Sequence, residues 1–317
     1  MEIVNAQIND VPEIISLLKT SLGEKLLPKT EEYFIWKHFN NPFGPSKILL
    51  AKEKSKIIGV RAFMYWKWVK KNQEVLSVRA VDTATSPDYQ GKGIFKTLTM
   101  QAVKECSEEG VELVFNSPNP ISMKGYLKMG WSYIGRMPIF IGVGSLWPKK
   151  YSEEKLNNFY KEYEIGKSIN ALSSNYEAVI AENNFHTGIN HSYLKWRYVD
   201  CPAIKYGAII KSGDFGMVFR FKKINGYIEL RVCEIWNEDQ AKEKDLKKAL
   251  IELIKKVRPL FISCSFSFLQ KENKPLLFFG PFKRGPKITL RRLAKNSDIK
   301  FNQFNNWAPS IGSIELF

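Results

Sequence analysis

The segment Val81 to Phe95, VDTATSPDYQGKGIF, limits the possible folds of this chain more than any other stretch. It closes a β-rich run, Glu74–Thr85, and opens a helix. From Gly93 onward Ile94, Leu98, Ala102 and Cys106 fall at four-residue intervals, one stripe of a helix. Between the two periods stand Pro87, Gly91 and Gly93, so strand and helix are joined by a tight bend. Glycines let the backbone turn and bring successive N–H groups toward one point. Those donors lie at a helix start, where the macrodipole favours an anion. The segment therefore predicts a strand–loop–helix unit with a cradle for a phosphate or diphosphate. It is not a Walker A loop, because G-x-x-x-x-G-K-[ST] is absent. It is not a dinucleotide fingerprint either, because no third glycine follows at the required spacing.

The rest of the first 150 residues alternates strands and helices around this unit. Asp10, Pro12 and Glu13 have the spacing of a capping box ahead of Ile14, Leu17 and Leu18. Strand-like runs follow at Lys47–Glu53 and Lys56–Trp68. Past Gly110 come a strand at Glu112–Asn116, a helix at Ile121–Met129 and a further strand at Trp131–Ile141.

The second half repeats part of this order. Trp36, Lys37 and Pro42 are echoed 160 residues later by Trp196, Arg197 and Pro202. Strand-like runs follow at Lys205–Lys211, Phe215–Lys223 and Tyr227–Trp236. An amphipathic helix carries Leu246, Leu250, Leu253 and Val257 on one face, and a strand at Leu260–Phe268 comes after it. The matched order predicts an internal duplication. The expected division is a first domain at 1–147, a linker at 148–170 that carries a helix, and a second domain at 171–317. The glycine loop is not repeated. Its place is taken by Asn237-Glu238-Asp239-Gln240-Ala241-Lys242-Glu243, whose acids would repel a diphosphate but suit an ordinary helix start.

Gln90-Gly91-Lys92-Gly93-Ile94-Phe95 resembles the Q/R-x-x-G-x-G/A loop of the GCN5-related N-acetyltransferases (GNAT). In that family the loop binds the diphosphate of acyl-CoA. Phe95 stands where the family has a small residue. A second stretch, from Asn116 through Asn119, Ser122 and Tyr126 to Gly130-Trp131, is similar to the family's later motif. The resemblance covers residues 1–145 directly. It implies an α/β fold built on a mixed sheet, a GNAT fold in the first half and a degenerate GNAT-like second half that shapes the acceptor site.

The resemblance also implies the chemistry and the site. Acetyl-CoA is the acyl donor, a co-substrate with no metal involved. The backbone of Ala84 and Thr85 would pair with pantetheine, and the amides of Gln90, Gly91, Lys92, Gly93, Ile94 and Phe95 would take the phosphates. Tyr126 matches the tyrosine near the sulfur that acts as general acid; as a residue it could equally be a core aromatic. Asn119 would contact the pantetheine arm or cap its helix. Asp82, in the strand beside the thioester, is the candidate base, or else a structural hydrogen-bond partner. Glu74 is a weaker candidate for base. Cys106 lies on the apolar stripe and reads as core. Trp36 and Trp196 read as core, with one wall of a cleft between the halves as the alternative.

The expected function is N-acetyl transfer to a primary amine of a small molecule or amino sugar. Charge weighs on the alternatives. The chain carries 48 Lys and Arg against 32 Asp and Glu, net +16. That balance suits an anionic partner. The charge is spread evenly over both halves and is mostly Lys, so nucleic acid is not the expected partner. A basic cluster at Lys283, Arg284, Lys287, Arg291, Arg292 and Lys295 is either a solvated face or a patch for an anionic acceptor. A Fem-type transferase using aminoacyl-tRNA shares the doubled fold, but the Gly91/Gly93 loop argues against it. A degenerate binding module is the third reading, and Phe95 alone favours it. Four cysteines without a C-x-x-C pair, three scattered histidines, no apolar run of membrane length and no signal-like start predict a cytoplasmic protein with reduced thiols.

Overall fold

A computed structural model describes the chain except for residues 24–28, 72, 179–183, 239–242, 266–277, 295–302 and 316–317. The strands are β1 (Glu2–Asn5), β2 (Lys47–Glu53), β3 (Lys56–Lys70), β4 (Gln73–Thr85), β5 (Leu113–Asn116), β6 (Ser132–Arg136) and β7 (Ile139–Val143), then β8 (His186–Thr187), β9 (Gly207–Lys211), β10 (Phe215–Ile224), β11 (Tyr227–Asn237), β12 (Phe261–Cys264), β13 (Phe278–Phe282) and β14 (Lys287–Arg292). The helices are α1 (Val11–Leu22), α2 (Glu31–His38), α3 (Ile94–Glu108), α4 (Pro120–Lys128), α5 (Glu153–Glu162), α6 (Ile165–Asn170), α7 (His191–Leu194), α8 (Glu243–Val257) and α9 (Ile311–Ile314).

These strands form two mixed sheets, so the α/β class expected from sequence holds. The first runs β1-β2-β3-β4-β5-β14-β6, with β8 also paired to β3; the second runs β13-β7-β12-β11-β10-β9. The pairings match step for step. β3/β4 and β10/β11 are antiparallel, whereas β4/β5 and β11/β12 are parallel. Even a β-bulge is repeated. Asp82 is the extra residue between Val81 and Thr83, and Cys233 is the extra residue between Val232 and Glu234. The tryptophans predicted from the echo meet face to face, with ring centroids 5.2 Å apart and planes 21° apart. Each indole N–H donates to the other's backbone carbonyl, at 2.7 and 2.8 Å. Reciprocal bonds of this kind require a local two-fold relation between the halves. Both rings are buried in a core that both halves share, so the cleft-wall alternative for Trp36 and Trp196 fails.

The division at residue 147 does not separate the sheets. Trp131–Ile141 reads as one strand because its apolar residues run on. The structure breaks it at Met137–Pro138, where proline has no N–H to continue a ladder. β6 stays in the first sheet, while β7 crosses to the second and pairs with β12 and β13. In return β14, from the second half, fills the gap between β5 and β6. The halves thus trade β7 for β14, and the short β8 of the second half also joins the first sheet against β3. The expected linker holds two helices, α5 and α6, and Leu156 and Phe159 on the first pack against the second sheet's core.

Local expectations were mostly met, with one change at the first helix. Asp10 does not cap α1. Its carboxylate accepts from Gln7 N–H and Lys52, closing a turn one step earlier, and Glu13 accepts from Ile57 N–H across to β3. Partners outside α1, the Gln7 amide, Lys52 on β2 and the Ile57 amide on β3, take both carboxylates away from the helix end. The four cysteines are free and buried.

Candidate active site

The bend after β4 has the form that the sequence predicts. Gly91 and Gly93 are both left-handed, at φ of 77° and 79°, and a Cβ at either would meet nothing within 4 Å. Gly93 is the N-cap of α3, with no side chain closing it. Tyr89 and Gln90 donate back to Ser86 and Pro87, and Thr97 donates to Gly93. Among the described residues no acceptor is recorded for the N–H groups of Gly91, Lys92, Gly93, Ile94 and Phe95. Lys92 lies over the Tyr89 ring at 4.4 Å, beside the same loop. This run of open amides, a lysine and a helix N-terminus is built to hold an anion.

Ile94 and Leu98 pack inward against Gly59, which anchors the helix start to β3. Phe95 turns away from the loop toward α4. Its ring meets Tyr126 edge-on at 5.5 Å and sits 3.1 Å from where a Cβ of Gly125 would be. The bulky residue therefore fills the space between two helices and leaves the anion loop open.

Strands β4 and β5 part beside the loop. Their pairing covers only Ser77–Arg79 with Leu113–Phe115, yet β4 runs on to Thr85. The bulge at Asp82 bends β4 where it diverges. Thr85 carbonyl already accepts from Ser21 Oγ and Gln90 Nε2. Ala84 is buried and pairs with Val60.

Asp82 is held tightly. Its Oδ2 accepts from Lys37 Nζ at 2.6 Å and lies 2.8 Å from His38 Nε2, with the carboxylate about a quarter exposed (24%). Burial alone would raise the carboxyl, but the Lys37 ammonium and the His38 hydrogen bond outweigh it. They hold Asp82 well below the ordinary carboxylate range. Burial also keeps His38 below the usual histidine value. A neutral ring that donates from Nε2 to Asp82 accepts at Nδ1 from Ser46, 2.9 Å away. A carboxylate so well satisfied is a weak proton acceptor, which favours the structural alternative for Asp82 over the base. Its stabilisation is complete above about pH 4 and is lost as pH falls through its depressed value. Asp82→Asn should therefore cost about 3 kcal/mol in urea unfolding at neutral pH. The gap from wild type should narrow as pH falls below about 4; a gap independent of pH would remove the carboxylate as its cause.

Tyr126 is 3% exposed, on α4. Its oxygen accepts from Arg61 Nη1 at 2.8 Å. Sequence reasoning missed Arg61. A lone arginine in an apolar strand was the available signal, and its face of the sheet could not be read from the strand alone. Asn119 caps α4, its Oδ1 accepting from Ser122 N–H at 2.8 Å and Ser122 Oγ at 3.0 Å. The capping alternative for Asn119 is thus met directly.

On the opposite face of the first sheet a cavity of about 610 Å³ lies between the two sheets. Arg79, Ser117, Ile141, Glu229, Arg231 and Glu315 are among its lining residues. Arg79 is buried and donates to the Ser313 and Ile314 carbonyls, which docks the C-terminal segment along one side. Glu315 is paired with Arg220 and Arg231.

The basic cluster is divided. Arg291 donates to the Met129 carbonyl and lies over the Trp131 ring, Arg284 lines the cavity, and Lys295 lies outside the described residues. In the second half Glu238 accepts from Tyr176, and Asp239, Gln240, Ala241 and Lys242 lie outside the described residues. Among the described residues no group of histidine, cysteine and carboxylate side chains could hold a metal, and no helix is long and apolar enough to cross a membrane.

Residues 2–134 match the family model described as an acetyltransferase (GNAT) domain. Solved structures share the fold over 92% of this chain. A GCN5-related N-acetyltransferase from Anabaena variabilis is 11% identical, with a TM-score of 0.61 and 73% of its own chain covered. A probable N-acyltransferase from Enterococcus faecalis is 10% identical, with a TM-score of 0.62 and 72% covered. Eis1 from Mycobacterium abscessus is 13% identical, with a TM-score of 0.56 and 74% covered. No curated protein matches the chain in sequence. The glycine loop at the start of α3, the parted strands beside it and the family match agree that residues 2–134 of this chain form an acetyltransferase (GNAT) domain.

Proposed function

We propose that the protein transfers an acetyl group from acetyl-CoA to a primary amine of a small molecule or amino sugar. The observation that carries this reading is the open loop. Unclaimed amides at Gly91–Phe95 suit a diphosphate and have little use in a transferase whose donor is an aminoacyl-tRNA. Gln90 precedes those amides and Lys92 adds its side chain among them, and Ala84 and Thr85 border the gap between β4 and β5 where the pantetheine arm would lie. Asn119 supports this wall by capping α4. The cavity between the sheets is of a size that encloses a small acceptor.

An acyl thioester is already activated toward amines. The protein has to hold the amine close, exclude competing water and protonate the leaving thiolate. In this reading Tyr126 supplies that proton. The attacking nitrogen loses its own proton to water, and Asp82 fixes the bend of β4 instead of accepting it.

Tyr126→Phe should leave the dissociation constant for acetyl-CoA within about threefold and slow thiol release at least ~100-fold, the range for loss of a general acid. The assay follows free thiol from acetyl-CoA against a panel of primary amines and amino sugars. Unchanged turnover would remove Tyr126 as the acid. Absence of acetyl-CoA binding by calorimetry would remove the whole reading.

A further inference from the structure

Arg61 is the most anomalous charge in the described structure. It lies on β3, is 0% exposed, and faces α3 and α4. Its single recorded hydrogen bond is the one from Nη1 to Tyr126 Oη. Nε and Nη2 are buried and have no partner among the described residues. Instead of a carboxylate, aromatic faces surround it, with Phe63 at 4.7 Å, Tyr126 at 5.4 Å and Phe95 at 5.8 Å from the guanidinium carbon. The other buried arginines are met differently. Arg79 donates to two backbone carbonyls, and Arg197 donates to Gly312 and to Tyr206.

A guanidinium taken fully from water normally needs an anion or a full set of acceptors. Cation–π contacts return only part of that loss. Arg61 lies close to the anion loop in the fold. It pairs in register with Thr83, next to the bulge, and Phe95 over it belongs to the first turn of α3. The one hydrogen bond it makes also fixes a proton. Tyr126 accepts from Arg61 through its oxygen, so its own O–H is left for another acceptor, and none is recorded among the described residues.

We propose that Arg61 is a positioning residue for proton transfer to the departing thiolate, acting through Tyr126. The inference rests on the reading of Tyr126 as the acid. The amine nitrogen bonds to the thioester carbon, and the C–S bond breaks with its electron pair on sulfur. Sulfur takes the Tyr126 proton, which leaves a phenolate beside the Arg61 guanidinium. The nitrogen gives its extra proton to water, and the phenolate regains one from solvent. Arg61 orients the phenol before the step and balances the phenolate after it, which explains a cation kept without a resident counter-ion.

The test uses the full chain with CoA itself as the probe, so it needs no acceptor. The thiolate absorbance of bound CoA is titrated against pH in wild type, Arg61→Met, Tyr126→Phe and the double variant. Arg61→Met should move ionisation of the bound thiol up by about one pH unit or more, with CoA affinity within about threefold of wild type. Arg61→Lys, which keeps a cation, should recover about half of that shift. In the Tyr126→Phe background, Arg61→Met should add less than about a third of its single effect. No shift in Arg61→Met overturns the proposal, and an equal shift in both backgrounds overturns the route through Tyr126. No shift from Tyr126→Phe alone sinks the acid role as well, which separates the two failures. If Arg61→Met fails to fold, the same cycle is run with Arg61→Lys, where a shift of the same sign supports the proposal and its absence overturns it.

Discussion

Gly93→Glu should abolish acetyl-CoA binding, raising its dissociation constant more than ~100-fold, equivalent to about 3 kcal/mol. Two effects add. Gly93 sits at φ of 79°, so any side chain strains the start of α3 by about 1 kcal/mol. The carboxylate would also stand among the amides that receive the diphosphate. Gly93→Ala separates these effects. Its Cβ meets nothing within 4 Å, so it carries the strain alone and should weaken binding by less than about tenfold. Calorimetry with acetyl-CoA distinguishes them. Equal binding by wild type and Gly93→Glu would mean that the loop does not hold the diphosphate.

A chain ending at residue 147 should not fold, although it spans the whole matched domain of residues 2–134. Without β14, β5 and β6 lose the strand that joins them, and the buried Ile288 and Leu290 leave the first sheet's core. Trp36 loses its stacked partner and its hydrogen-bond acceptor. β7 loses both neighbours and presents unpaired edges, a recognised route to aggregation. The expected result is no cooperative transition in denaturant and aggregation on concentration. Co-expression with residues 148–317 should restore a soluble complex. A truncated chain that unfolds cooperatively would show that strand exchange is dispensable.

Much of the site was legible because its signals are local. A change of period at Gly93, two glycines in the bend and the Asn119–Tyr126–Gly130 spacing each lie within a few residues. The structure puts a strand, an open loop, a helix and a capped helix at those places. Asp82 was found by position, but its role was not, because Lys37 and His38 reach it from 45 and 44 residues away. Phe95 looked like a defect in the motif, and only its contacts with Gly125 and Tyr126 show that it fills a helix interface instead of the loop. The tryptophan echo pointed to two halves with a similar order of elements. It could not reveal that Trp36 and Trp196 would meet each other.

Sequence by itself determined β2 to β5, β9 to β11, α3, α4 and α8, the glycine bend before α3, and the similar order of elements in the two halves. Those properties follow from side-chain period and from the conformations a few glycines permit, both of which are set over a handful of neighbours. Only the tertiary structure decided that β7 and β14 change places, that Asp82 is neutralised by Lys37, and that Arg61 is buried against Tyr126. Each depends on the pairing of segments far apart in the chain. A strand's alternation fixes which side chains share a face and leaves open which sheet the strand completes.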